Sequence, residues 1–221
     1  MHVMARTLFV TVLVLMFTGI FPLPVAFDTS GYVVQAQTKV AKVEGFRSAK
    51  FGMGEQDIIR RVKKDFNISK KRVKRQVHPI EKTLSLEIEV KDLLKGSGRA
   101  KVFYIFGYRS KKLIQVNVLW GKPVGDNFKA ETVVETANQL RNHFAQKNFP
   151  KEGLVVNQPL NKEGTAVLVF RGKDKKGRMA LLILENPKVA GKKENAHISL
   201  KLSYIKNPDS QDVFKIKEED F

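Results

Sequence analysis

The chain has 221 residues, with 40 Lys and Arg against 22 Asp and Glu, a formal charge of +18 and a pI near 10.0. Its 43% hydrophobic and 28% charged residues exclude a long disordered tail, a collagen-like repeat and a multi-pass membrane protein. The absence of Cys removes disulfides, thiolate metal sites, thiol catalysis and the thioether anchor of a bacterial lipoprotein.

Residues 1–36 differ from everything after them. Arg6 gives a positive start, residues 8–20 form a continuous apolar run, and Phe21-Pro-Leu-Pro24 breaks any helix because proline lacks the N–H and clashes with the preceding turn. Small-residue sites come next at Val25-Ala26 and Val34-Gln35-Ala36. This is the layout of a secretory signal peptide cleaved after Ala36, and it predicts export to the periplasm, with secretion as the second choice. The rival is an uncleaved inner-membrane anchor. A span needs about 20 apolar residues, which the run from Leu8 reaches only by including both prolines. The segment carries only Arg6 and Asp28, so the mature chain holds the whole +18.

After a polar, Lys-dotted lead (37–50), Phe51-Gly-Met-Gly54 opens a helix on which Ile58, Ile59, Val62 and Phe66 recur at helical spacing. Glu55 and Asp57 precede Arg60, Arg61, Lys63 and Lys64, the order that suits the helix dipole. Three strands come after it. Leu84, Leu86, Ile88 and Val90 alternate with Ser85, Glu87 and Glu89, which predicts one wet face. Residues 100–106 and 113–120 flank Arg109-Ser-Lys-Lys112 as a hairpin. The pattern restarts with a second helix over 129–148, its apolar stripe made by Val133, Ala137, Leu140 and Phe144, and ended by Phe149-Pro150. Strands over 165–170, 179–184 and 198–204 complete it. The expected fold is α+β, two helices packed on antiparallel β-sheet, as one six-stranded sheet or a tandem αβββ duplication over 37–125 and 126–221. Chance repetition of a common pattern explains the order of elements equally well.

The stretch Phe46-Arg-Ser-Ala-Lys-Phe-Gly-Met-Gly-Glu-Gln-Asp-Ile58 resembles the first-helix opening of small exported bacterial envelope proteins. These are the outer-membrane assembly lipoproteins and relatives with the β-lactamase-inhibitor-protein architecture. The resemblance implies helices on an antiparallel sheet and a non-enzymatic scaffold or binding role. It carries over no site residues, and the missing lipobox Cys departs from the lipoproteins.

No catalytic constellation is written in the chain. His78, His143 and His197 lie in three separate elements, without the spacing of metal ligands. No Gly-x-Ser-x-Gly or phosphate loop occurs, and Glu87 and Glu89 read as a wet surface. No cofactor is implied, and an enzyme reading would need a site the sequence does not advertise. The informative anomaly is charge: between Arg60 and Arg75 there are nine bases and one acid, a net 9 − 1 = +8 in sixteen residues. Within it, Lys70, Lys71, Arg72, Lys74 and Arg75 are expected to form an exposed connection that attaches to an anionic envelope surface or an acidic protein partner. Nucleic acid fits the charge but not the exported location. Membrane contact is expected to be peripheral unless the leader is retained. The rival account is a solvated face.

Overall fold

The computed structural model describes residues 40–192 and 194–216, so the leader and its cleavage site lie outside the described residues. The chain begins with a small hairpin, β1 (Gly45–Phe46) and β2 (Ala49–Lys50), then α1 (Glu55–Phe66). The Asp57 carboxylate accepts a hydrogen bond from the Gly54 N–H at 3.3 Å, which satisfies one orphan donor at the helix start. Asn67 ends α1 in the left-handed region, φ 55°, its N–H donating to the Lys63 carbonyl. A 3₁₀ turn, Lys70–Arg72, leads into β3 (Lys74–Val77), β4 (Leu84–Val90), β5 (Ala100–Phe106) and β6 (Leu113–Gly121). Next come α2 (Ala130–Ala145), a second 3₁₀ turn at Lys151–Gly153, and β7 (Val155–Pro159), β8 (Ala166–Lys173), β9 (Met179–Glu185) and β10 (Ser199–Ile205).

The fold is α+β, and one antiparallel sheet of eight strands runs through it in the order β3-β4-β5-β6-β10-β9-β8-β7. The order is symmetric about its centre. Each half is a helix, a single 3₁₀ turn, a short edge strand and three longer strands, and the last strands of the halves, β6 and β10, pair with Val118 opposite Leu202. Gly121, φ 78°, closes β6 where an added Cβ would collide with the Ile198 carbonyl, so this crossing requires glycine.

Side-chain alternation sorts the sheet into two faces. Leu86, Ile88, Val102, Tyr104, Val116, Val118, Trp120, Leu182, Leu200 and Leu202 are buried beneath the helices. Helix α2 adds Val133, Ala137, Leu140 and Phe144, as its spacing predicts, with Phe144 stacked on Phe170 at 5.2 Å between ring centres. Helix α1 adds Ile58 and Val62, and leans on β2. Each of the larger side chains contributes about 1.5–3 kcal/mol on burial. Among the described residues, no helix is long and apolar enough to cross a membrane.

Four expectations need correction. The sheet has eight strands, not six, because β3 and β7 are edge strands without apolar alternation. Lys74 and Arg75 therefore belong to a strand rather than a connection, although every residue of β3 is exposed. The polar lead contains the β1–β2 hairpin, and it buries Ala41 and Val43 ahead of the hairpin and Ala49 within it. Glu87 is not a wet residue: it is only 7% exposed, with Gln76 at 3.4 Å, Lys74 at 3.6 Å and Lys101 at 4.0 Å covering its carboxylate. Glu89 is exposed as expected and pairs with Arg99 at 2.9 Å.

Candidate functional site

Helix α1, the 3₁₀ turn at Lys70–Arg72 and β3 together build the basic segment. The inner stripe of α1 fixes Ile58 and Val62 in the core, so Arg60, Lys63 and Lys64 are left in solvent with Arg61 half-buried. The Asn67 cap then turns the chain, and Ile68 is buried, which pins the 3₁₀ turn to the body of the protein. Lys70, Lys71 and Arg72 are all exposed on that turn. The strand alternation of β3 separates the last two predicted residues. Lys74 points to the helix-free face of the sheet towards Glu87, while the Arg75 guanidinium reaches Glu55 of α1 at 3.2 Å. Three of the five predicted residues thus share one exposed turn, and two are tied into ion pairs on opposite faces.

Of the nine bases from Arg60 to Arg75, Arg60 pairs with Asp57, Lys74 with Glu87 and Arg75 with Glu55. Lys63 donates to the Asn67 side-chain oxygen at 2.7 Å. Among the described residues, no carboxylate lies within ion-pair distance of Arg61, Lys64, Lys70, Lys71 or Arg72. Placing five such like charges along one helix end and one turn stores mutual repulsion that the fold does not offset locally.

A second feature leaves no trace in the sequence. On the helix side of the sheet, a cleft of about 410 Å³ opens between α2 and the β4–β5 loop. Trp120, Leu202 and Tyr204 line it from the sheet, Leu140 and Phe144 from α2, Leu93 and Leu94 from the loop, and Phe46 from the hairpin. Phe46 and Phe144 stand 5.7 and 6.2 Å from the Tyr204 ring. Burial pushes the Tyr204 hydroxyl up to about 12. Arg47, Lys95, Gln139 and His143 supply the polar part of the lining. Arg47 is held in the left-handed region, φ 52°. Its guanidinium donates to the Leu93 carbonyl at 3.0 Å and lies 4.6 Å from the centre of the Phe66 ring. Partial burial beside Lys147 holds the His143 imidazole below its ordinary value, so it is neutral at pH 7.

Two carboxylates organise the basic tips at one end of the sheet. Asp174, 7% exposed, accepts hydrogen bonds from the N–H groups of Val43, Lys176 and Arg178. Asp212, from the segment after β10, accepts from the N–H groups of Arg109 and Ser110, both at 2.9 Å. Although partial burial opposes it, hydrogen bonds from Ser110 and Arg109 hold the Asp212 carboxyl below the usual carboxylate range. The two tips, similar in sequence, are not equivalent in the fold: one joins β5 to β6 and the other β8 to β9. Among the described residues there is no cluster of three His, Asp or Glu suited to a metal ion. Comparison with protein families, with curated proteins and with solved structures finds no match to this chain.

Proposed function

We propose that this chain is an exported, non-enzymatic binding module that attaches to an anionic lipid surface through α1 and the turn before β3, and that its two halves are a tandem αββββ duplication. The strand order supports the duplication. So do the starts of matching strands: β3 at 74 and β7 at 155, β4 at 84 and β8 at 166, β5 at 100 and β9 at 179.

One observation carries the binding role. From the start of α1 to the end of β3 (55–77) the chain has nine bases and three acids, net 9 − 3 = +6. The matching stretch of the second half, from α2 to the end of β7 (130–159), has three bases and three acids, net 3 − 3 = 0. The same scaffold is built without the charge, so folding does not account for it. A surface of phospholipid head groups rewards each Lys or Arg near it by about 1 kcal/mol within a Debye length of roughly 8 Å at physiological salt. The five cations without an ion-pair partner among the described residues can therefore supply several kcal/mol, enough for reversible attachment.

The export reading rests on the leader, whose apolar run and Val34-Gln35-Ala36 site support a mature protein starting at Gln37. Intact mass from the native host checks this: a full-length mass together with membrane fractionation would replace cleavage by anchoring. Binding is checked with the mature protein and phosphatidylglycerol vesicles. Sedimentation with the vesicles at low salt, fading as salt rises and absent with phosphatidylcholine, supports the proposal. No sedimentation at low salt overturns it, and capture of an acidic protein without vesicle binding would put a protein partner in its place.

A further inference from the structure

The cleft between α2 and the β4–β5 loop has a composition that the basic surface does not explain. Its volume of about 410 Å³ falls within the roughly 300–1,000 Å³ of small-molecule sites. Eight of its twelve lining residues are apolar or aromatic, and they are arranged by depth. Trp120, Leu202, Phe144 and Leu140 are almost wholly buried, whereas Lys95, Gln139 and His143 are exposed. The apolar part is therefore the floor and the polar part the rim. The charges are one-sided: the lining contains the cations Arg47 and Lys95 and no Asp or Glu. Arg47 is locked by its carbonyl partner and by the Phe66 ring, so it contributes a fixed positive field, and Lys95 is the mobile cation at the mouth.

We infer that this cleft binds a single-chain anionic amphiphile, whose apolar chain enters between the Phe46, Phe144 and Tyr204 rings and whose carboxylate or phosphate head stays at the rim with Lys95. The chain's driving force is the removal of its apolar surface from water. The head is selected by sign, because a cationic head would meet Arg47 and Lys95 with no carboxylate in the lining to offset them. A neutral head gains nothing from either. This site is separate from the α1 and β3 bases, and its ligand binds as a monomer in solution. Vesicle attachment and ligand binding can therefore fail independently.

The fold provides its own reporter, since Trp120 is the only tryptophan of the chain and lines the cleft. The experiment titrates the mature protein with decanoate carrying a terminal bromine, below its self-association concentration, and follows contact quenching of Trp120. Unbrominated decanoate, decanol and decylamine serve as competitors, and a lysophosphatidylglycerol of matched chain length tests whether the head comes from a free acid or a lipid. The expected result is saturable quenching. Decanoate, the lysophospholipid or both displace the quencher, and decanol and decylamine do so at least tenfold more weakly. Lys95→Glu should weaken decanoate at least tenfold. The Lys95→Glu/His143→Glu pair should invert the preference in favour of decylamine. Both positions are exposed, so the fold is retained, and near-UV circular dichroism checks this. Absence of saturable quenching, equal competition by decylamine, or an unchanged preference in a folded double variant overturns the inference.

Discussion

The two halves of the sheet place their helices differently. Helix α2 lies directly on β8, β9, β10 and β6 and inserts Phe144 into an aromatic stack with Phe170. Helix α1 has a narrower buried stripe, Ile58 and Val62, and meets the body largely through the β1–β2 hairpin, where Asp65 accepts from the Ser48 hydroxyl at 2.8 Å and its N–H at 3.0 Å. The half with the lighter helix anchor is also the one that carries the five bases with no ion-pair partner among the described residues. The lesson is a contrast between the two helices rather than between the two cores: both halves pack the sheet, but α2 is the more deeply inserted helix and α1 is the one that presents the basic surface.

That comparison can be broken at its strongest point first. Phe144→Ala should destabilise the protein by about 3–5 kcal/mol and Ile58→Ala by about 2–5 kcal/mol, the ranges for large-to-small core changes. Denaturant unfolding measures both, and a cost for Phe144→Ala below that for Ile58→Ala would reverse the assignment of α2 as the heavier anchor. Asp174→Ala strips an acceptor from three N–H groups, two at its own tip and one in the strand lead at Val43, and should cost about 2–3 kcal/mol. The smallest effect concerns Asp212, which holds the other tip from outside. Its folded pKa is lowered, so its contribution is complete above the ordinary carboxylate value of about 3.9 and is lost as pH falls through the lowered value. Hydrogen exchange at the Arg109 and Ser110 amides should therefore lose protection in that acid window well before the core strands do, and unchanged protection would contradict this docking.

Much of the architecture is readable because burial on one face leaves a period. Leu84, Leu86, Ile88 and Val90, or Ile198, Leu200, Leu202 and Tyr204, can alternate only if one face of a strand is covered. The edge strands leave no such trace. In β3 both faces meet water, so Lys74, Arg75, Gln76 and Val77 show no alternation. Charges of this kind are also what keeps an edge from pairing with another chain. In β7 the same protection is given by Pro159 and by Asn157 at φ 54°. Glu87 reads as a wet residue for a related reason: its cover, Lys74 and Gln76, lies on the strand that shows no pattern. The cleft is illegible because five separate elements assemble it. Each of Phe46, Trp120, Phe144 and Tyr204 reads alone as ordinary core material.

The central claim is that the charge of the first half acts locally at a surface and does not merely raise the net charge. The most direct measurement compares two variants of equal net charge in titrations with phosphatidylglycerol vesicles at fixed salt. One carries Arg61, Lys64, Lys70, Lys71 and Arg72→Gln, which leaves the Arg60, Lys74 and Arg75 ion pairs intact. The other carries Lys162, Lys175, Lys176, Lys188 and Lys192→Gln, all exposed in the second half. At about 1 kcal/mol for each base at the surface, the first variant should lose roughly a hundredfold or more in affinity and the second only a few-fold, with both as stable as the parent to within about 0.5 kcal/mol. Equal losses in the two variants, or none in the first, would contradict the account.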